Sequence, residues 1–259
     1  MKASALSSYG PEFKNLFILW LFTLGLVSGL LPEVTAKPNR AEKAAAKTGP
    51  RLKIEMTKKG LRWGSPVYLR IFKESNELEL WIRSEQKSGE YLLFRNYKIC
   101  SWSGTLGPKL KQGDHQSPEG LYRVNKEQMN PYSRYHLSFN LGYPNAYDRA
   151  KKRTGNYLMV HGNCVSIGCY AMGDDQIEEI YTLTNAALKH GQKSFAVHCF
   201  PFRMIKARMQ QENVRNSPWL EFWQDLQKVH QAFERTWIPP QTKVQSARYV
   251  LLKSETQKL

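Results

Sequence analysis

Between Pro66 and Ile99 the chain repeats one pattern three times, and nothing else in it restricts the fold as much. "PVYLRIF" sets Val67, Leu69 and Ile71 on alternate positions, and "ELELWI" and "YLLFRNYKI" continue with β-branched and aromatic residues. Period two is the signature of strands, whose successive side chains point to opposite faces. Ser, Glu and Gly breaks separate the runs, so the three strands are expected to form a meander.

Downstream the punctuation changes. "SGTLGPKLKQGDHQSPEG", residues 103 to 120, is too dense in Gly, Pro and Asp for regular structure, and a loop of that length is usually functional or disordered. "LYRV" resumes a strand, "HLSFN" and "NYLMV" supply two more, and "GYPNAYDRAKKRTG" between them is a loop. Ile177, Ile180, Tyr181, Thr184, Ala187 and Leu188 then recur at helical spacing, with Asp174 and Asp175 at the start and Gly191 past the end. "SFAVHCF" returns to alternation. Ser217-Pro218 opens a second helix carrying Trp219, Phe222, Trp223, Leu226 and Phe233, stopped by Pro239-Pro240, and "KVQSARYVLL" reads as a last strand. The expected class is α+β and strand-rich, with a helical C-terminal extension.

The N-terminus decides the compartment. Lys2 and Lys14 precede "LFILWLFTLGLVSGLL", Leu16 to Leu31, which carries no charge and is shorter than the about 20 apolar residues of a spanning helix. Val34 and Ala36 follow where an export peptidase wants small residues, so residues 1–36 read as a signal peptide cleaved after Ala36. An uncleaved inner-membrane anchor is the alternative, and either exports the remainder to the periplasm. "KPNRAEKAAAKTGP" reads as a basic tether, assigned to 37–60. The strand-rich domain then covers 61–205 and the helix-plus-strand extension 206–259.

The formal net charge is +16, and residues 1–36 hold two lysines against two glutamates, so the excess lies wholly in the exported part. Export argues against nucleic acid as partner and leaves cell-wall carboxylates and anionic lipid headgroups, with plain solubility as the competing explanation.

In this setting "VHGNCVSIGCYAM", residues 160 to 172, becomes informative. A cysteine nucleophile needs a neighbouring imidazole and gains from a helix N-terminus. His161 ends a strand, and Cys169 lies beyond a Gly-containing turn just before the helix that begins near Asp174. Gly168 admits close backbone approach, and the amides around Cys169 are candidate oxyanion donors. Zinc held by His161, Cys164, Cys169 and Cys199 or His198 is a competing reading, but the spacing matches no common structural-zinc pattern and no Cys-x-x-Cys is present. A Cys164–Cys169 disulfide would disable the nucleophile, and Cys100 with Cys199 is the other plausible pair. His198, on a strand, reads as a packed histidine outside the site.

"HG" at 161–162, "SIGC" at 166–169 and the upstream "GPKLKQGDHQSPEGLYRV" resemble the YkuD-type L,D-transpeptidase catalytic domain, and more closely its YafK-like branch. The resemblance runs from about Pro66 to Met204, and "FW…FERTWIPP…ARYV" is also similar to that branch. It implies a β-sandwich-like catalytic domain with no metal or cofactor. Cys169 would be the acylated thiol and His161 its base, while Gly162, Ser166 and Gly168 shape the turn. The implied partner is the peptidoglycan stem peptide, attacked at the L-centre carbonyl of diaminopimelate. Most members carry arginine two residues after the cysteine, where this chain has Ala171, and the His161–Cys169 separation is short. Both departures fit the branch, whose members are associated with cutting the bond between peptidoglycan and an outer-membrane lipoprotein; crosslinking transpeptidation stays open. Other cations must then hold substrate carboxylates, with Arg134, Arg149, Arg153 and Arg203 as candidates by loop position.

Overall fold

The three alternating runs fold as expected into an antiparallel meander of β1 (Val67–Phe72), β2 (Glu77–Arg83) and β3 (Tyr91–Lys98). The computed structural model describes residues 37–252, and from Pro38 onward the chain forms one compact unit. The Leu16–Leu31 run and the signal-peptide reading lie outside the described residues. Among the described residues no helix is long and apolar enough to cross a membrane.

A second sheet is assembled from short strands: β4 (Ser101–Trp102), β6 (Met129–Asn130), β7 (Ser138–Asn140), β8 (Met159–His161) and β9 (Tyr170–Ala171), in the spatial order β4-β9-β8-β7-β6. β5 (Gly120–Asn125) and β10 (Ser194–Phe200) complete the first sheet, whose order is β3-β2-β1-β10-β5. β1 pairs β10 in parallel, so β1 is central and all six of its residues are buried. Its two faces serve different cores. Val67, Leu69 and Ile71 join Phe139, Val160 and Tyr170 of the second sheet between the two sheets, giving the β-sandwich-like arrangement. Tyr68 and Phe72, on the other face, pack under the C-terminal helices.

Those helices are α4 (Lys206–Val214) and α5 (Leu220–Thr236); α5 buries Phe222, Trp223, Leu226, Val229 and Phe233. α4 has no sequence signal of comparable strength, since its buried side chains are Met209 and Glu212 alone. The final strand of the sequence reading is in fact a hairpin, β11 (Thr242–Gln245) and β12 (Arg248–Leu251). Ser246 and Ala247 both adopt positive φ at its turn, the geometry of a tight hairpin turn without the glycine or asparagine that normally announces one.

α1 (Arg40–Lys58) corrects the tether assigned to residues 37–60. Asn39 and Glu42 form a capping box, and Ala41, Ala44, Thr48, Leu52 and Met56 are buried on one face, toward α3 (Asp174–Lys189). Pro50 sits inside this helix, where proline costs about 3 kcal/mol. Tertiary packing offsets it: Leu52 and Met56 belong to the main core, Thr48 Oγ1 reaches Thr182 Oγ1 at 3.2 Å, and Lys47 bridges to Glu178 at 2.7 Å. A five-residue helix, α2 (Ala146–Ala150), stands in the loop between β7 and β8.

Residues 103–119 contain no helix or strand, as their composition demands. They are nevertheless anchored at one buried point. Lys73 Nζ, with a fully buried side chain, donates to the carbonyls of Thr105 at 2.9 Å, Gly107 at 3.0 Å and Ser117 at 2.9 Å, and to Glu119 Oε1 at 3.1 Å. Glu119 in turn accepts from the Gly107 amide at 2.6 Å and from Trp223 Nε1 at 2.8 Å.

Candidate active site

β8 and β9 run parallel, with Val160 opposite Tyr170 and His161 opposite Ala171. Parallel neighbours normally need a crossover of a dozen or more residues, so the short 162–169 connection must be held by specific contacts. Several supply this. Asp174 Oδ1 accepts the Asn163 amide at 2.7 Å, the Met172 amide reaches the His161 carbonyl at 2.8 Å, and the Gly173 amide reaches the Asn163 carbonyl at 2.8 Å. Cys164 is disulfide-bonded to Cys100, which stitches the loop to the segment between β3 and β4.

This pairing differs from both disulfides weighed on the sequence. Cys169 is free and half-buried, and Cys199 is free and fully buried in the core between the sheets. The zinc arrangement loses Cys164 to the disulfide.

Register places the free thiol beside the histidine. Side chains two apart on a strand share a face, so Met159 and His161 face the same side as Cys169 and Ala171. The Met159 amide points at Cys169 Sγ at 3.4 Å, and continuing the ladder by one residue sets Cys169 opposite Met159 with His161 diagonal to it. Diagonal positions on adjacent strands lie about 7–8 Å apart, within reach of a ring side chain.

His161 is buried and stacks on Tyr135, with ring centroids 4.6 Å apart. Its Nδ1 is 2.5 Å from the Gly162 carbonyl, an acceptor only, so Nδ1 carries the proton and Nε2 is left as the basic nitrogen. Burial lowers the imidazole pKa, against a smaller opposing effect of that hydrogen bond. Burial pushes the Cys169 thiol up, partly countered by the Met159 amide and the charge of Lys109. Both shifts favour the uncharged forms, thiol and imidazole.

The supporting residues resolve into distinct roles. Ser166 Oγ donates to the Cys169 carbonyl at 2.8 Å and accepts the Gly168 amide at 3.2 Å. Because the Gly168 amide is spent inside the turn, it is not one of the oxyanion donors expected around Cys169. Gly168 has φ +142°, a conformation for which glycine is suited. Gly162 is required for space: a Cβ there would lie 2.6 Å from Asp174 Oδ1 and 2.8 Å from the Tyr135 carbonyl. Ser117 Oγ also donates to the Cys169 carbonyl, at 2.9 Å, and Tyr170 Oη donates to the Pro118 carbonyl at 2.7 Å. The 103–119 loop thus holds the Cys169 carbonyl through Ser117 and the Tyr170 side chain through Pro118. The sequence reads that loop as functional or disordered and does not pick out Ser117, Lys109 or Lys73; serine beside Pro-Glu-Gly is the available signal for the first, and nothing local marks Lys73.

Of the four arginines proposed for substrate, two are committed elsewhere. Arg153 is buried and donates to Asp148 at 2.9 Å, and Arg203 bridges Glu77 at 2.7 Å and Glu79 at 2.8 Å. A guanidinium as deep as that of Arg153 needs a carboxylate partner. Arg149 is exposed on α2, its Nη1 donating to the Pro144 carbonyl, and Arg134 is exposed beside Tyr135, the residue stacked on His161. His198 is buried, with Nδ1 2.7 Å from Tyr68 Oη, in keeping with a packed histidine.

Residues 80–194 match the family model of the L,D-transpeptidase catalytic domain, YkuD. The chain is 47% identical over 190 residues to an Escherichia coli K12 protein named "Putative L,D-transpeptidase YafK", covering 73% of this chain and 75% of that protein. Among solved structures, the helical cell shape determining protein Pgp2 of Campylobacter jejuni aligns with TM-score 0.41 and 17% identity over 75% of this chain and 80% of that one. Bd1075 of Bdellovibrio bacteriovorus aligns with TM-score 0.37 and 21% identity over 65% and 62%.

Proposed function

Because the chain belongs to the YkuD family of L,D-transpeptidase catalytic domains, we propose that it is a periplasmic cysteine enzyme that opens an amide at diaminopimelate in peptidoglycan and passes the acyl group mainly to water. The observation that carries this reading is the free, half-buried Cys169 on one sheet face with His161, while the neighbouring Cys164 is held in a disulfide. That disulfide also fits an oxidising compartment and so supports export.

The chemistry follows from the neutral pair. His161 Nε2 takes the Sγ proton as sulfur attacks the L-centre carbonyl, so thiolate character arises only with the substrate in place. Collapse breaks the amide C–N bond and forms the thioester on Cys169, and the imidazolium returns its proton to the departing amine. His161 then deprotonates a water that attacks the thioester, freeing the stem-peptide carboxylate and restoring the thiol. The departing amine in this reading is the terminal lysine of a peptidoglycan-linked lipoprotein. The position two residues past the nucleophile supports a site unlike that of crosslinking members: Ala171 is fully buried opposite His161.

Incubation with lipoprotein-bearing muropeptides in heavy-oxygen water tests the acceptor. Label in the freed stem-peptide carboxyl is expected. Unlabelled L,D-crosslinked dimers as the main product would instead mean that an amine intercepts the thioester.

A further inference from the structure

A cleft of about 570 Å³ lies between β5, the Leu141–Arg149 segment and the β11–β12 hairpin. Its volume is within the range of sites for small molecules and peptide fragments. Its charge is one-sided. Arg123, Arg149 and Lys243 line it and are exposed, and no aspartate or glutamate does. Among the described residues none of these three cations is within 4 Å of a carboxylate, whereas Arg70, Lys73, Arg95, Arg153, Arg203 and Arg248 are all so paired. Arg123 Nε donates to Ser194 Oγ at 3.1 Å and Arg149 Nη1 to the Pro144 carbonyl, neutral partners that leave both charges uncompensated. On the floor, Tyr249 Oη accepts from Asn145 Nδ2 at 2.9 Å and from the Leu121 amide at 3.3 Å, so its own hydrogen is the one it has left to donate.

The position of the cleft relates it to the thiol. Asn140 is in register with Met159, whose amide points at Cys169 Sγ, and the Leu141 amide donates to the Leu158 carbonyl at 2.9 Å. Leu141, at the rim, therefore stands two strands across from Cys169 at the same end of the second sheet. At about 4.8 Å per strand the Leu141 rim is on the order of 10 Å from Cys169, and Arg123, in register with Ala196 on the face of β5 that packs under the C-terminal helices, stands beyond that rim. The far wall, Thr242 to Val244 and Tyr249, comes from the C-terminal extension, outside the residues 80–194 that match the catalytic-domain model.

We propose that this cleft is a carboxylate-binding subsite that holds the free carboxyl groups of a peptidoglycan stem peptide extending across the sheet end from Cys169, with Arg123, Arg149 and Lys243 as its cations. The proposal rests on the reading of the chain as a wall enzyme and names the part of the substrate that its C-terminal hairpin recognises. The three cations answer to a ligand carrying more than one carboxylate, and a neutral peptide gains nothing from them.

The test measures binding without chemistry. A soluble muropeptide with free stem-peptide carboxylates, and the same muropeptide with those carboxyls amidated, are titrated calorimetrically into full exported chain bearing Cys169→Ala. Tenfold or greater weakening is expected on amidation, and likewise for the double variant Arg149→Ala with Lys243→Ala, with circular dichroism confirming that the variant is folded. Affinity should also fall steeply between 50 and 500 mM salt. Equal binding of the amidated muropeptide, undiminished affinity of the double variant, or no binding of either muropeptide would overturn the subsite. Failure of hydrolysis is read separately, from product label with Cys169 intact.

Discussion

At Cys169 burial raises the thiol pKa while the Met159 amide and Lys109 pull it down, and at His161 burial keeps the imidazole neutral. In the proposed reaction a thiol in that state is a poor free nucleophile and depends on its base during attack. Alkylation of Cys169 by iodoacetamide should accordingly keep rising with pH through 8, about tenfold per unit while thiolate is scarce. Turnover should be level there and fall only on the acid side of the ordinary histidine value, because burial makes His161 harder to protonate. His161→Ala should abolish turnover yet leave the alkylation profile in place; an alkylation plateau below pH 7 would instead mean a preformed thiolate–imidazolium pair. The disulfide yields a second expectation. In the chain-entropy account, closing the 64-residue separation of Cys100 and Cys164 contributes about 4 kcal/mol. Removing Cys100 alone also frees Cys164 to capture Cys169 in the same loop. Cys100→Ser should therefore be less active than the Cys100→Ser, Cys164→Ser double variant under oxidising conditions, and dithiothreitol should close the gap. Equal activities without reductant would sink this account.

The element that most depends on a distant side chain is the 103–119 loop. Its composition precludes a backbone ladder, so its carbonyls turn to Lys73, whose charge is matched by Glu119, while Glu119 also holds Trp223 of α5. Through Ser117 this hub reaches the Cys169 carbonyl. Lys73→Met leaves the Glu119 carboxylate buried without its cation, which typically costs 3–5 kcal/mol. Chemical denaturation should register that loss, and limited proteolysis should cut the loop. Adding Glu119→Gln removes the stranded charge and should recover part of the stability; a double variant weaker than the single one would show that the charge is not the cause.

For the whole molecule, buried neutral histidines set the acid limit. His198 is lowered to about 3, by burial and then by Arg123 and Arg70, and His230 to about 4, by burial and then by Arg70. Both folded values lie below the unfolded value of about 6.5. Below that pH the unfolded chain binds protons that the native state refuses, so stability is full above about 6.5 and is lost as pH falls toward the folded values. Each such histidine contributes a slope of up to about 1.4 kcal/mol per pH unit. Urea midpoints followed from pH 7 to pH 4.5 should fall accordingly, and His198→Gln should flatten the slope by about one proton. An unchanged slope would remove His198 from this role.

Local pattern carried what is periodic or chemically dense. The β1–β3 meander, α3 with its acidic start, α5 with its aromatic stripe, and the 160–172 motif were legible because spacing and residue type there act over a few neighbours. Tertiary structure alone decided the rest. α1 reads as a tether because Ala, Lys, Gly and Pro carry no outward sign that one face will be buried against α3. The hairpin at Ser246-Ala247 has no glycine to announce it. Cysteine pairing depends on which sulfurs the fold brings together, and the core between the sheets buries Cys199 while the 162–169 connection carries Cys164 to Cys100. The same reason governs the arginines: a cation alike in sequence becomes a buried partner at 153 and an exposed lining charge at 149 only when packing has assigned Asp148 to the first and the cleft to the second.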